Sequence, residues 1–191
     1  MQGQLDPPLS SEGRRQAGLL ARRLAGRSLA GFYSSDLERA METARLIGGP
    51  AGISPETVPG LREIYLGEWE GLRTEEIAQR FPKSWERWVK EPDWDLVPGA
   101  ERASAFEARV GEAISAIFNR HTEGDVLVVT HGGVIQVALH HAVGRTSRGL
   151  FLFKIQNTSI SILERRRDRT TIGGVNDTAH LEMAPVPAAE A

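Results

Sequence analysis

The segment from Asp125 to Val143 constrains the fold more than any other part of the chain. It begins with an unbroken apolar, β-branched run, passes through His131-Gly132-Gly133 and continues as an apolar helical pattern from Val134. A continuous run of this kind is typical of a strand that is buried on both faces, as in the parallel sheets of α/β proteins. The segment therefore predicts a strand, a tight glycine turn and a helix, which together form half of a βαβ unit.

The rest of the chain alternates between helical and strand patterns. Helices are predicted from the N-cap Ser10 to Gly26, from about Ser34 to Gly48, and from Ser104, where Ser104-Ala105-Phe106-Glu107 matches a capping box. Strands are predicted at Leu29–Tyr33, Glu56–Val58, Asn157–Leu163 and Thr170–Val175. This alternation predicts an α/β fold, a three-layer sandwich with a mainly parallel sheet flanked by helices.

The length of 191 residues favours a single domain. We expect this domain to span residues 1–182, with a helical cap at about 73–103, where Pro82 and Pro92 interrupt the helices and three of the four Trp residues lie. The remaining residues, 183–191, are rich in Pro and Ala, and we expect them to form a disordered tail.

Composition excludes several classes of function. Lys and Arg number 23 against 25 Asp and Glu, so the net charge of −2 argues against a nucleic-acid partner. The absence of Cys excludes a thiolate nucleophile and sulfur-ligated zinc. No apolar run is long enough to span a membrane, and the first ten residues do not resemble a signal peptide. We therefore expect a cytoplasmic enzyme or binding domain.

Three side chains are candidates for chemistry. His131 follows a strand and precedes a helix, where backbone N–H groups attract anions. The segment 34–39 follows another strand, so we expect it to lie at the same edge of the sheet. Arg39 lies in the first turn of its helix, where a bound anion would compensate its charge, and Glu63 lies in an irregular loop where burial would raise its pKa. The structural alternatives are a core histidine, a solvated helix face and a solvated loop carboxylate.

Five segments, in this order, carry a resemblance to a known family. They are QGQLDPPL at residues 2–9 with its continuation to Ala17, SSDLERAMETA at 34–44, LRE to WEG at 61–71, VVTHGG at 128–133, and VNDTAHL at 175–181. Together they resemble the histidine phosphatase superfamily, in its phosphoglycerate mutase-like branch.

The resemblance implies phosphoryl transfer through a phosphohistidine, with no metal or cofactor. It assigns Arg39 to a phosphate clamp, Glu63 to the general acid and His131 to the second histidine of the site. Gln2, Gly3 and Gly132 match positions that line the phosphate pocket. The glycine at position 133 is similar to phosphatases rather than to glycolytic mutases, so the expected function is hydrolysis of small phosphomonoesters. A phosphoglycerate mutase is an alternative, the substrate stays open among sugar phosphates, phosphoglycerates and cobalamin-precursor phosphates, and a homodimer is possible.

The sequence departs from the family at the nucleophile. In the family an Arg-His-Gly motif ends a first, central strand, and none of the five His residues here is preceded by Arg and followed by Gly. One expectation is that coding sequence upstream of Met1 supplies this strand in frame. The alternative is a catalytically inactive member that binds phosphorylated ligands or a protein partner.

Overall fold

The computed structural model describes residues 1–149, 151–167 and 169–182. Its helices are α1 (Ser11–Leu24), α2 (Glu38–Gly48), α3 (Thr74–Arg80), α4 (Pro82–Lys90), α5 (Ala103–Arg120) and α6 (Gly132–Ala142). Its strands are β1 (Leu29–Ser34), β2 (Glu56–Thr57), β3 (Asp125–Val129), β4 (Ile160–Arg166) and β5 (Arg169–Asp177). The expected tail at 183–191 lies outside the described residues. No helix in the described ranges is long and apolar enough to cross a membrane.

The central sheet has the parallel order β2-β1-β3. Alternate residues of its strands enter different cores. Tyr33 and Val128 pack with residues of α5 and α6, whereas Phe32 and Leu127 pack with residues of α1 and α2. Because side chains alternate between the two faces of a strand, the helices cover the sheet on both sides. The predicted α/β sandwich with a parallel sheet is therefore confirmed.

The prediction that β3 is fully buried is wrong. Val126, Leu127, Val128 and Val129 are all only partly buried. Within the described residues β3 pairs with β1 alone, and β4 and β5 form a separate antiparallel pair. Ile160 at the start of β4 nevertheless packs against the same core as Leu127 and Val129. The β-branched composition thus marks a strand that has a strand partner on one edge only among the residues that the structure describes.

The predicted capping box at the start of α5 is also wrong. The N-cap is Arg102, two residues before Ser104, and its side chain makes no hydrogen bond to the helix backbone. Asp95, eight residues before Ala103 in the sequence, caps the helix instead, because its Oδ1 accepts the N–H of Ala103 at 2.9 Å. Glu107 instead accepts the backbone N–H groups of Ser147 and Arg148, at 2.6 and 2.7 Å.

The segment between β2 and α5 carries the two short helices α3 and α4. Trp69 packs edge to face against Trp85 and Trp88, with ring centroids 5.8 and 6.0 Å apart, and Trp88 makes a tilted contact with Trp94 at 6.0 Å. Trp69 is fully buried and belongs to the core that includes Phe106 of α5. This packing joins the segment firmly to the face of the sheet that carries the site.

The cap that Asp95 provides for α5 predicts different effects of substitutions at Asp95 and at Ser104. Asp95→Ala should lower the free energy of unfolding by about 1 kcal/mol, the usual cost of losing a helix cap. Ser104→Ala should change it by less than about 0.5 kcal/mol, since Ser104 caps nothing. Urea denaturation of the two variants measures both values. A larger loss in Ser104→Ala than in Asp95→Ala would contradict the observed cap.

Candidate functional site

His131 lies where β3 ends, as the residue that precedes α6. Its ring is 8 % exposed, and its Nε2 lies 2.8 Å from Oγ of Ser35, a fully buried residue that follows β1. The backbone N–H of Ser35 donates to the carbonyl of Val129 at 2.9 Å, which continues the parallel pairing of the strands. The two strand ends that the sequence predicts at one edge therefore meet at this histidine.

The contact with Ser35 suits either tautomer of the neutral His131 ring. Oγ of Ser35 accepts the backbone N–H of Leu37 at 3.3 Å and can still donate its proton to Nε2 of His131 or accept a proton from it, because a hydroxyl oxygen has two lone pairs. In both cases one nitrogen of the neutral ring carries a proton. The neutral form is favoured because burial lowers the pKa of His131 to about 3, with a further contribution from the charges of Arg39 and Arg109. His131 is thus a neutral hydrogen-bond donor at physiological pH.

Glu63 lies against the first turn of α6. Its Oε2 accepts the N–H of Gly133 at 3.0 Å, and its Oε1 accepts the N–H of Ile64 at 2.9 Å. Burial raises the pKa of Glu63, while these two N–H groups and the charges of Arg39 and Arg109 oppose the rise. A carboxyl group with a raised pKa retains its proton more readily at neutral pH, which suits a general acid.

The two glycines after His131 have different roles. A Cβ at Gly133 would lie 2.2 Å from Oε1 of Glu63, so the absence of a side chain there permits the close approach of the carboxylate. A Cβ at Gly132 would meet nothing within 4 Å. The sequence predicts that both glycines admit a ligand, but Gly133 makes room for Glu63 instead.

Arg39 is the second residue of α2 and is partly buried. Its Nη1 donates to the carbonyl of Leu5 and its Nη2 to the carbonyl of Gly3, both at 2.7 Å. Burial lowers the pKa of Arg39, while nearby carboxylates, Glu63 first among them, raise it. The charge of Arg39 also acts on both Glu63 and His131, so the structure brings the three candidate side chains together.

The segment before α1 reaches the site through its backbone. Gly3 has φ +56°, and a Cβ there would lie 2.1 Å from Oε1 of Glu70, which accepts the N–H of Gln4 at 2.5 Å. The carbonyl of Gly3 faces Arg39, since it accepts a hydrogen bond from Nη2 of that residue. Gln2 is exposed and lines a separate depression with Asp6 and Arg73, apart from the residues around Glu63.

A cavity of about 460 Å³ opens beside Glu63. Its walls come from the start of α6 and from the segment that precedes β4: Glu63, Gly132, Gly133, Gln136, Phe151, Phe153, Lys154 and Ile155. Gln136 holds the two walls together, since its amide oxygen accepts the N–H of Phe153 and its Nε2 donates to the carbonyl of the same residue. The cavity combines aromatic surface, the carboxyl of Glu63 and the cation of Lys154.

Other histidines have structural partners. His140 is buried and donates from Nδ1 to the carbonyl of Gln136 at 2.7 Å, as a helical histidine can. His121 contacts the hydroxyl of Tyr33 through Nε2 at 2.7 Å. Across the described ranges, no three His, Asp or Glu side chains are grouped to hold a metal ion.

Sequence reasoning missed Ser35, Arg109, Gln136 and Lys154. Ser35 lies within the segment 34–39 that the sequence places at the site edge, so its position was accessible. Arg109 follows Phe106 by three residues, and an arginine next to the apolar stripe of α5 is a sign of buried polar partners. Gln136 and Lys154 line the same cavity because the segment before β4 folds back over α6, and no local sequence pattern predicts this path.

Comparison with known proteins decides the family. The family model of the histidine phosphatase superfamily (branch 1) matches residues 1–178. The chain belongs to this superfamily. Phosphoserine phosphatase 1 of Hydrogenobacter thermophilus is 32% identical over 180 residues, covering 94% of this chain and 85% of the relative. Phosphoglycerate mutase-like protein 4 of Arabidopsis thaliana is 34% identical over 186 residues, with 95% and 80% covered.

A solved structure agrees with this membership. Bacillus stearothermophilus YhfR superposes with a TM-score of 0.86 at 33% identity, covering 95% of this chain and 91% of that one. The resemblance proposed from the five sequence segments is therefore confirmed. The roles of individual residues stay predictions that rest on the geometry above.

The low pKa of His131 predicts a pH dependence of stability. The unfolded chain takes up a proton on this ring below pH 6.5, whereas the folded chain does so only near pH 3. The contribution of His131 to stability is therefore lost as pH falls from about 6.5, by on the order of 2 kcal/mol between pH 7 and pH 5. His131→Gln should flatten the stability profile over this range in urea denaturation, relative to the parent chain. Substituting the exposed His141 by Gln provides the control, and an equal effect of both changes would contradict the assignment.

Proposed function

We propose that the chain forms the larger part of a phosphomonoester hydrolase that works through a phosphohistidine. The observation that carries the proposal is that Glu63 and His131 lie together at the start of α6, near enough to Arg39 for its charge to act on both. A neutral imidazole donor, a guanidinium and free N–H groups of a helix N-terminus suit the equatorial oxygens of a transferring phosphoryl group. Glu63 is placed to give its proton to the departing alcohol.

The nucleophile has to come from a further strand. In the proposed reaction an imidazole nitrogen forms a bond to phosphorus as the bond to the alcohol oxygen breaks, and Glu63 protonates that oxygen. Water then attacks the phosphohistidine and releases phosphate. Within the described residues β3 pairs on one edge alone, and Ile160 of the separate β4–β5 pair packs against the same core as Leu127 and Val129 of β3, so we place the further strand between β3 and β4. A strand that ends there in Arg-His-Gly would bring its histidine to the end of β3, beside His131.

The cavity beside Glu63 supports a leaving alcohol that carries a carboxylate group. Lys154 is the cationic side chain among the lining residues, and Phe151 and Phe153 supply apolar surface. The H. thermophilus relative is named a phosphoserine phosphatase, and phosphoserine carries a carboxylate close to its ester oxygen. We propose small carboxylated phosphomonoesters, such as phosphoserine, as the substrate class.

The cytoplasmic location remains a prediction of the sequence. A homodimer likewise stays a prediction of the sequence.

The strand proposal is tested by complementation. A peptide with an apolar strand that ends in Arg-His-Gly is added to the 191-residue chain or fused ahead of it, because an open sheet edge accepts an extended peptide. The chain alone should not hydrolyse p-nitrophenyl phosphate, whereas the complemented chain should, and a peptide with Ala in place of His should have no effect. Turnover by the chain alone would show that the nucleophile lies elsewhere. Phosphate binding without turnover in the fused protein would favour the inactive, ligand-binding alternative.

The site residues are tested in the complemented enzyme. Arg39→Ala or His131→Ala should each cost on the order of 2–4 kcal/mol of transition-state stabilisation in kcat/KM, because each removes a donor to the phosphoryl oxygens. Steady-state kinetics measures the loss, and His141→Ala on the exposed face of α6 is the control. Full activity in either site variant would exclude its assigned role.

The substrate class is tested at Lys154. In the complemented enzyme, Lys154→Met should raise KM for phosphoserine about threefold to tenfold, because an exposed ion pair contributes on the order of 1 kcal/mol. KM for phosphoethanolamine, which lacks only the carboxylate, should stay unchanged. Lys83→Met in α4 is the matched control. An equal change for both substrates would contradict recognition of the carboxylate by Lys154.

A further inference from the structure

Arg109 in α5 uses every N–H of its guanidinium group. Its Nη1 donates to the carbonyls of Gly60 and Arg62, at 2.9 and 2.7 Å, and its Nη2 donates to the carbonyl of Glu63 at 3.0 Å. The remaining two donors form a forked pair with Glu101, from Nε to Oε1 at 2.7 Å and from Nη2 to Oε2 at 2.8 Å. Arginine has five such donors in a fixed plane, so the side chain is fully satisfied here.

The groups that Arg109 binds hold the chain on both sides of Glu63. The three carbonyls belong to the loop that leads into Glu63. Glu101 binds the segment that follows Glu63. Its backbone N–H donates to the carbonyl of Tyr65 at 3.0 Å, and its Oε2 accepts the N–H of Tyr65 at 3.4 Å. The pair of Arg109 and Glu101 therefore clamps the backbone both before and after Glu63.

The clamp is largely shielded from water. The side chains of Arg109 and Glu101 are 23% and 18% exposed, and the guanidinium lies 4.8 Å from the centre of the Phe106 ring. Two further groups hold the same loop: Thr130 donates from Oγ1 to the carbonyl of Leu61 at 2.8 Å, and Gln4 donates from Nε2 to the carbonyl of Glu63 at 3.0 Å. Of these groups, Arg109 is the one that holds three carbonyls at once.

We propose that Arg109, held by Glu101, is the positioning residue of the general acid. It fixes the loop so that the carboxyl of Glu63 stays against the first turn of α6 and meets the departing alcohol oxygen. This inference rests on the proposed role of Glu63. Arg109 donates to backbone carbonyls and to Glu101, so it acts through Glu63 and not on the phosphoryl group itself.

The role predicts a dependence on the leaving group. An alkyl alkoxide such as that of phosphoserine leaves poorly without a proton, whereas nitrophenolate leaves readily without one. A loss of general acid positioning therefore slows the hydrolysis of the alkyl ester and leaves the aryl ester nearly unaffected. General damage to the fold or to phosphate binding would slow both.

The kinetic test uses the chain complemented with the Arg-His-Gly strand. Arg109→Gln should lower kcat for phosphoserine by about 10- to 100-fold, a part of what general acid catalysis contributes, and kcat for p-nitrophenyl phosphate by less than about threefold. Arg109→Lys, with three donors, should lie between parent and Arg109→Gln. Arg120→Gln on the same helix, which breaks the exposed pair with Glu56 and the contact with the ring of Tyr33 but none with the loop of Glu63, should match the parent. An equal loss on both substrates in Arg109→Gln would overturn the proposal.

A double substitution separates positioning from an independent effect. In a Glu63→Gln background, Arg109→Gln should cause no further loss on phosphoserine, since the two residues then act as one unit. Additive losses would contradict the role. If the parent complemented enzyme hydrolyses neither substrate, the proposed function fails, and the inference about Arg109 is decided by the following measurement.

That measurement uses the 191-residue chain without added strand. The amide protons of Ile64 and Gly133 donate to the carboxylate of Glu63. Arg109→Gln should speed their hydrogen exchange at least tenfold, and Glu101→Gln, which keeps one neutral acceptor, should do so less. Arg120→Gln should leave both amides unchanged. Unchanged exchange in folded Arg109→Gln and Glu101→Gln would show that the clamp does not hold Glu63.

Discussion

The site depends on the parallel pairing of β1 with β3. The register that places Ser34 opposite Val129 continues through the bond from the N–H of Ser35 to the carbonyl of Val129. Because parallel strands end at the same edge, this pairing brings the hydroxyl of Ser35 to the ring of His131 and the start of α2 to the start of α6. A slip of one residue in either strand would turn that strand's side chains to the other face of the sheet and separate Ser35 from His131. The chemistry therefore starts from backbone geometry.

A second link adds the general acid to this frame. The N–H of Gly133 holds the carboxylate of Glu63, and the missing side chain at position 133 leaves the space for it. The same first turn of α6 thus serves two purposes, as a donor to Glu63 and as an environment that favours anions. A carboxyl group that must share a site with phosphate gains from such support, since its protonated form is favoured by burial and its position by the backbone.

Much of this was accessible from the sequence because it follows from local pattern. The apolar run before His131 and the segment that ends at Ser34 predict two strands, and the rule for parallel sheets then predicts the shared edge. The capping box at Ser104 failed because Asp95, eight residues before Ala103, caps the helix at Ala103, and because Glu107 binds the backbone of Ser147 and Arg148 instead. The prediction that β3 is fully buried failed because the exposure of a strand depends on which other strands and helices pack against it, and the composition of the strand alone does not show them. The position of Arg109 beside the apolar stripe of α5 indicates a buried polar partner, but three of its acceptors are backbone carbonyls, which carry no sequence signal.

The central claim is that the covalent nucleophile belongs to a strand beside β3 and not to His131. The direct measurement is acid-quenched labelling of the complemented chain with a phosphate donor that carries radioactive phosphorus, followed by peptide mapping of the phosphohistidine. The account predicts label on the histidine of the added strand, none on His131, and none at all when the strand carries Ala in that position. Label on His131 would contradict the account.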